Sequence, residues 1–146
     1  MTITMFSILI YLIICTFTDL KKRSISLIIS TVFILAGLIL CILGYSPHDN
    51  FISLLLSLLP GGVLLLLSVV TKEAIGYGDG LMLITMGFYL SHPENLSILL
   101  YSLIIAGIFS LFLLTLGKYQ RKYKIPFSPF LLLGYLTYFM LFYYFC

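Results

Sequence analysis

With 62% hydrophobic residues, only 9% charged ones and a mean hydropathy of +1.19 over 146 residues, the chain reads as an integral membrane protein. A soluble domain is about a quarter charged. The length suits one polytopic helical domain, residues 1–146, and the small net charge of +3, with no basic patch interleaved with aromatics, gives no sign of a nucleic acid partner.

A helix needs about twenty apolar residues to cross a bilayer. Thr2 to Thr18 supplies a first span, ended by Asp19-Leu20-Lys21-Lys22-Arg23. These first residues lack the basic start of a cleaved signal peptide, because the basic cluster follows the apolar stretch. Ile25 to Leu43 is a second span, closed by Gly44 and the turn-like Ser46-Pro47-His48-Asp49-Asn50. Asp49 or Asn50 is expected to cap the third, Phe51 to Val70, in which Pro60-Gly61-Gly62 suggests a kink or close helix packing. Leu81 to Leu90 is too short to cross the hydrocarbon unaided. Either its helix starts within the preceding glycine segment, or Asp79 lies below the membrane surface in a protected cavity. A turn is expected at Ser91-His92-Pro93-Glu94-Asn95. Leu96 to Leu116 then forms a fifth span, and Phe127 to Phe145, opened by Pro126 and Pro129, a sixth.

The fold class expected is therefore an all-α integral membrane bundle of six transmembrane helices. Its basic residues orient it. Lys21, Lys22, Arg23, Lys72, Lys118, Arg121, Lys122 and Lys124 all follow the first, third and fifth spans, whereas the opposite loops hold Asp49, Glu94, His48 and His92. By the positive-inside rule the basic loops are cytoplasmic and both termini extracytoplasmic. Asp19 and Asp79 then share the cytoplasmic side. Cys15, Cys41 and Cys146 lie in or beside apolar segments without CxxC spacing and read as buried, inert thiols. The isolated histidines offer no metal site, and no cofactor is expected.

The polar break Gly76-Tyr77-Gly78-Asp79-Gly80 stands out in this oily chain. A carboxylate near membrane depth is costly and usually functional, and alternate glycines let the backbone leave helical geometry and approach a substrate. Asp79 also suits a plainer role, as the N-cap of a helix beginning at Leu81. Asp19 is the second carboxylate, and beside a basic cluster it also reads as an ordinary interfacial residue. If the two meet, they share one proton. The ionised partner can then deprotonate a water while the protonated one hydrogen-bonds a scissile carbonyl, which is the chemistry of aspartic proteolysis and needs no metal.

Asp19-Leu20-Lys21-Lys22-Arg23-Ser24-Ile25 resembles the first aspartate motif of the type IV prepilin peptidases. Gly76-Tyr77-Gly78-Asp79 resembles their GxGD motif, shared with presenilin-type proteases. Ile125-Pro126-Phe127-Ser128-Pro129-Phe130 resembles the proline-bearing start of their last helix. The resemblance implies an endopeptidase that removes the basic leader of prepilin or pseudopilin precursors at the cytoplasmic face of the cell's inner membrane. Asp19 and Asp79 would be its catalytic dyad, with Gly76 and Gly78 shaping the loop and admitting the substrate backbone. It also implies that the GxGD motif opens the second catalytic helix. The chain departs from the pattern at Ser26 and Leu27, where Pro-Asn is usual, and at Leu81, where many members carry lysine. It has no counterpart of the paired CxxC insertion of the longer, methylating members, so the short peptidase-only form is expected. The alternatives are a small ion-coupled transporter, with the two acids binding a cation, and a non-catalytic pilus-assembly component. The sequence carries no signal of oligomeric state.

Overall fold

The computed structural model describes residues 2–22, 26–45, 47–71, 76–115 and 126–145, and among these residues all regular structure is helical. The helices are α1 (Thr2–Lys22), α2 (Leu27–Ile42), α3 (Phe51–Val70), α4 (Tyr77–Gly87), α5 (His92–Thr115) and α6 (Ser128–Phe145). The helices α1, α3 and α5 are long and apolar enough to cross a membrane; α2 and α6 are apolar but shorter in their described parts.

Large apolar side chains cover the outside, including Phe6 and Phe17 on α1, Leu35 on α2, Leu66 on α3 and Phe112 on α5. A protein folding in water would bury them; a bilayer makes such a surface favourable. The interior is built round α4, whose Met82, Leu83 and Met86 are wholly buried against Ile8, Tyr11, Leu12 and Cys15 of α1 and Ile98 and Leu99 of α5.

Glycines set the closest approach. A β-carbon on Gly61 would lie 2.5 Å from the Ile84 amide nitrogen, one on Gly80 3.0 Å from the Leu65 nitrogen, and one on Gly87 2.7 Å from the Ser57 carbonyl oxygen. The partner numbers fall as the glycine numbers rise, so α3 and α4 pack antiparallel, backbone on backbone. Close packing, one of the two expectations for Pro60-Gly61-Gly62, is met at Gly61 within α3. The helices α1 and α6 also run antiparallel, since Tyr135 Oη donates to the Met5 carbonyl at 2.9 Å while Thr16 Oγ1 donates to that of Ser128 at 3.4 Å.

Helix α4 is shorter than α3 at both ends, with Gly80 opposite Leu65 and Gly87 opposite Ser57. Its terminal carbonyls therefore end inside the bundle, where unpaired polar groups are expensive. Polar side chains supply the missing donors. Ser57 Oγ lies 2.8 Å from the Gly87 carbonyl and 2.7 Å from that of Leu90. His48 Nε2 lies 2.9 Å from the Gly87 carbonyl, and Asn95 Nδ2 donates to the carbonyls of Ser57 at 2.9 Å and Leu83 at 3.2 Å.

Several boundaries differ from expectation. Helix α1 continues to Lys22, so Asp19 belongs to its last turns rather than to a terminating loop. Helix α5 begins at His92, so His92-Pro93-Glu94-Asn95 is its first turn. Glu94 Oε2 reaches back to the Ser91 amide at 2.8 Å, half of a capping box, and proline costs little where amides lack helical partners. Asn50 occupies the N-cap position of α3 without a side-chain cap bond. Cys15 is buried as expected, but Cys41 is only half-buried, on the rim where α2 meets the end of α4. Arg23, Ser24, Ile25, Ser46, Lys72, Leu116, Lys118, Arg121, Lys122, Lys124, Ile125 and Cys146 lie outside the described residues.

Candidate active site

Helix α4 starts four residues earlier than the apolar pattern indicates. Its N-cap is Gly76, with extended backbone (φ −63°, ψ 124°), and the Asp79 amide donates to the Gly76 carbonyl at 3.1 Å. Asp79 is thus the third helical residue and does not cap a helix beginning at Leu81. The apolar run starts late because the first turn is Tyr77-Gly78-Asp79-Gly80. Gly78 accordingly lies within the helix, not in a loop preceding it. A carboxylate in a first turn is favoured by the unpaired amides and dipole there.

The Asp79 side chain folds back over Gly76: a β-carbon on Gly76 would lie 2.9 Å from Asp79 Oδ2. The missing side chain at residue 76 is what leaves room for the carboxylate. Asp79 is half-buried, and its turn faces α3 about one and a half turns short of Val70. Of the two expectations for the short fourth segment, the helix does begin in the glycines, and the Asp79 turn packs against α3 short of that helix's C-terminal end.

Asp19 lies on the buried stripe of α1 formed with Tyr11 and Cys15 at four-residue spacing, and is 7% exposed. At its level the first residue of α6 closes in, and Ser128 Oγ donates to Asp19 Oδ2 at 2.6 Å. Between the two acids and the middle of the bundle lies a polar link. Tyr11 Oη is 3.0 Å from Ser30 Oγ of α2 and donates to Thr85 Oγ1 of α4 at 3.3 Å.

That link fixes a common level on α1 and α4. From Tyr11, Asp19 is eight residues towards the C-terminal end of α1, an axial rise of about 12 Å. From Thr85, Asp79 is six residues towards the N-terminal end of α4, about 9 Å. Those two helix ends face the same way, so both carboxyl groups lie at one end of the bundle. Two acids 60 positions apart in sequence thus face one region, lined by Ser128, Cys15 and Gly76. Pattern reading missed Ser128, whose hydroxyl lies within a proline-bearing run noted for another reason.

This is a multi-helix membrane protein with recessed acids at one end. Residues 6–111 match the type IV leader peptidase family, and the chain belongs to it. The match takes in both aspartates and the Gly76-Tyr77-Gly78-Asp79 run. Searches of curated proteins and of solved structures returned no significant match. Membership makes this a protein of leader-peptidase type.

Proposed function

We propose that the protein is an aspartic endopeptidase of the cytoplasmic membrane that cuts the basic leader from prepilin or pseudopilin precursors, with Asp19 and Asp79 as its dyad. The observation that carries this reading is that α1 and α4 bring one buried and one half-buried carboxylate to the same end of a bundle of leader-peptidase ancestry. In the proposed topology all six helices traverse the membrane, both termini are extracytoplasmic and the acids lie near the cytoplasmic face. Segregation of the basic residues supports that orientation.

The chemistry follows from the pair. Two adjacent carboxyl groups in a poorly solvated site hold one proton between them. The ionised group takes a proton from water as the oxygen attacks the scissile carbonyl carbon. The protonated group donates to the carbonyl oxygen, giving a neutral tetrahedral diol. The protonated acid then gives its proton to the amide nitrogen while the ionised one takes a proton from a diol hydroxyl, so the C–N bond breaks, the leader leaves with the new carboxyl group and the dyad is again singly protonated. Gly76 keeps space beside Asp79, and the recess of α4 below the end of α3 sets a depth suited to a bond just before a substrate's apolar helix.

The test is cleavage of candidate prepilins from the same genome by the protein purified in lipid nanodiscs. The reading expects one cut at the junction of basic leader and apolar helix, leaving that helix whole. Binding without any cut would support the non-catalytic assembly component, and cation-dependent uptake into liposomes without cleavage would support the transporter. Cuts within the apolar helix would shift the reading to presenilin-like proteolysis.

A further inference from the structure

Ser128 has no role in the proposed chemistry, yet among the described residues it makes the shortest side-chain hydrogen bond to either acid. It is the first residue of α6, it is wholly buried, and its hydroxyl donates to Asp19 Oδ2 at 2.6 Å. Hydroxyl donors to an ionised carboxylate sit at about 2.5–2.7 Å. The backbone there is held as well: Thr16, one turn before Asp19 on the same side of α1, donates to the Ser128 carbonyl at 3.4 Å. The preceding Phe127 carbonyl accepts the amides of Phe130 and Leu131 at 3.0 and 3.1 Å. Ser128 is thus clamped to α1 at two points. Among the described residues, no side chain donates to the Asp79 carboxylate.

We propose that Ser128 is a positioning residue of the dyad: it fixes the Asp19 carboxyl group and, by donating to its charged form, leaves the shared proton on Asp79. The proposal rests on the aspartic-peptidase reading above. A hydrogen bond to the charged form of an acid favours that form, so Asp19 takes the part of base towards water and Asp79 that of donor to the carbonyl. The ionisable groups facing Asp19 among the described residues are Asp79 from α4 and Cys15 from its own helix. The described first turns of α6 and α2 carry none, and Lys21 is exposed on the outside of α1.

The experiment measures prepilin cleavage against pH for wild type and for Ser128→Ala, Ser128→Cys and Ser128→Thr, with Asp19→Asn and Asp79→Asn in parallel. For Ser128→Ala we expect KM within about twofold of wild type, kcat down about tenfold, and the acid limb of the profile moved up by about one pH unit. Loss of the donor destabilises the anion, so protonation of the base begins at higher pH. Ser128→Thr keeps the hydroxyl and should keep the wild-type limb. Ser128→Cys, nearly isosteric with a weak donor, should shift the limb in the same direction by less. If the alanine variant does not fold, the cysteine variant decides. An acid limb unmoved in the folded alanine or cysteine variant overturns the proposal, whatever happens to the rate. If the two asparagine variants are inactive while the Ser128 limbs do not move, the positioning role alone fails. An active asparagine variant instead removes the dyad reading itself.

Discussion

Gly76 and Asp79 act as one unit at the residue scale. The backbone at Gly76 is extended, a conformation open to any residue, so glycine is required there by the carboxylate folded over it. Gly76→Ala should therefore push the Asp79 side chain aside. We expect a loss of cleavage of about tenfold or more with unfolding temperature almost unchanged, since a small side chain at an exposed position costs under about 1 kcal/mol. Activity and thermal unfolding in detergent, measured together, check this. A variant that loses stability and activity in proportion would point to a capping role only. Both carboxylates stand out among oily segments in the sequence, but each has a plainer reading as well, Asp79 as a helix N-cap and Asp19 as an interfacial residue. A helix start within the glycine motif is one of two readings of the segment and is implied by the family resemblance, but hydropathy alone does not fix it. Hydropathy marks where apolar residues begin, and the first turn of α4 is polar and glycine-rich.

At the scale of the element, the α3–α4 contact positions Asp79, and neighbouring glycines make it testable. A β-carbon on Gly61 meets backbone atoms of Ile84 and Gly80, which have no rotamer by which to yield. On Gly62 the same atom meets nothing within 4 Å. Gly61→Ala should wedge the helices apart at a cost of about 1–3 kcal/mol, lowering both unfolding temperature and activity. Gly62→Ala should be neutral or slightly stabilising, because alanine suits a helix better than glycine. Equal behaviour of the two would mean that close packing does not hold α4 in place. The Pro60-Gly61-Gly62 run announced such a contact without naming its partner. A sequence shows that a helix face is small, but not that Gly80 and Gly87 of another helix supply the matching faces. The donors Ser57, His48 and Asn95 were illegible for a related reason. Ser57 and His48 answer carbonyls at the end of the short α4 and Asn95 ties α4 to α3, and those needs exist only once the helices are assembled.

At the scale of the whole molecule, charge and apolar surface set the arrangement in the bilayer. Single cysteines introduced into a cysteine-free background at Asp49 and Pro93, both exposed, should react with an impermeant thiol reagent added outside the cell; one at exposed Lys21 should not. Reaction at Lys21 from outside would reverse the orientation and move the acids to the wrong face for a basic leader. The expected side assignment rests on the segregation of lysine and arginine in the sequence. The meeting of the α1 and α4 acids depends instead on the order in which helices pack, to which hydropathy is blind.

The central claim is that Asp19 and Asp79 share one proton and do the chemistry together. Asparagine keeps the shape and the capping ability of aspartate but cannot cycle a proton. The most direct measurement is cleavage of a prepilin by Asp79→Asn in nanodiscs, beside Asp19→Asn and the double variant, with unfolding temperature recorded for each. We expect no product from any of the three, near-wild-type stability, and a double variant no worse than either single one, as for groups acting as a unit. An Asp79→Asn protein that cuts at the wild-type rate would contradict the account.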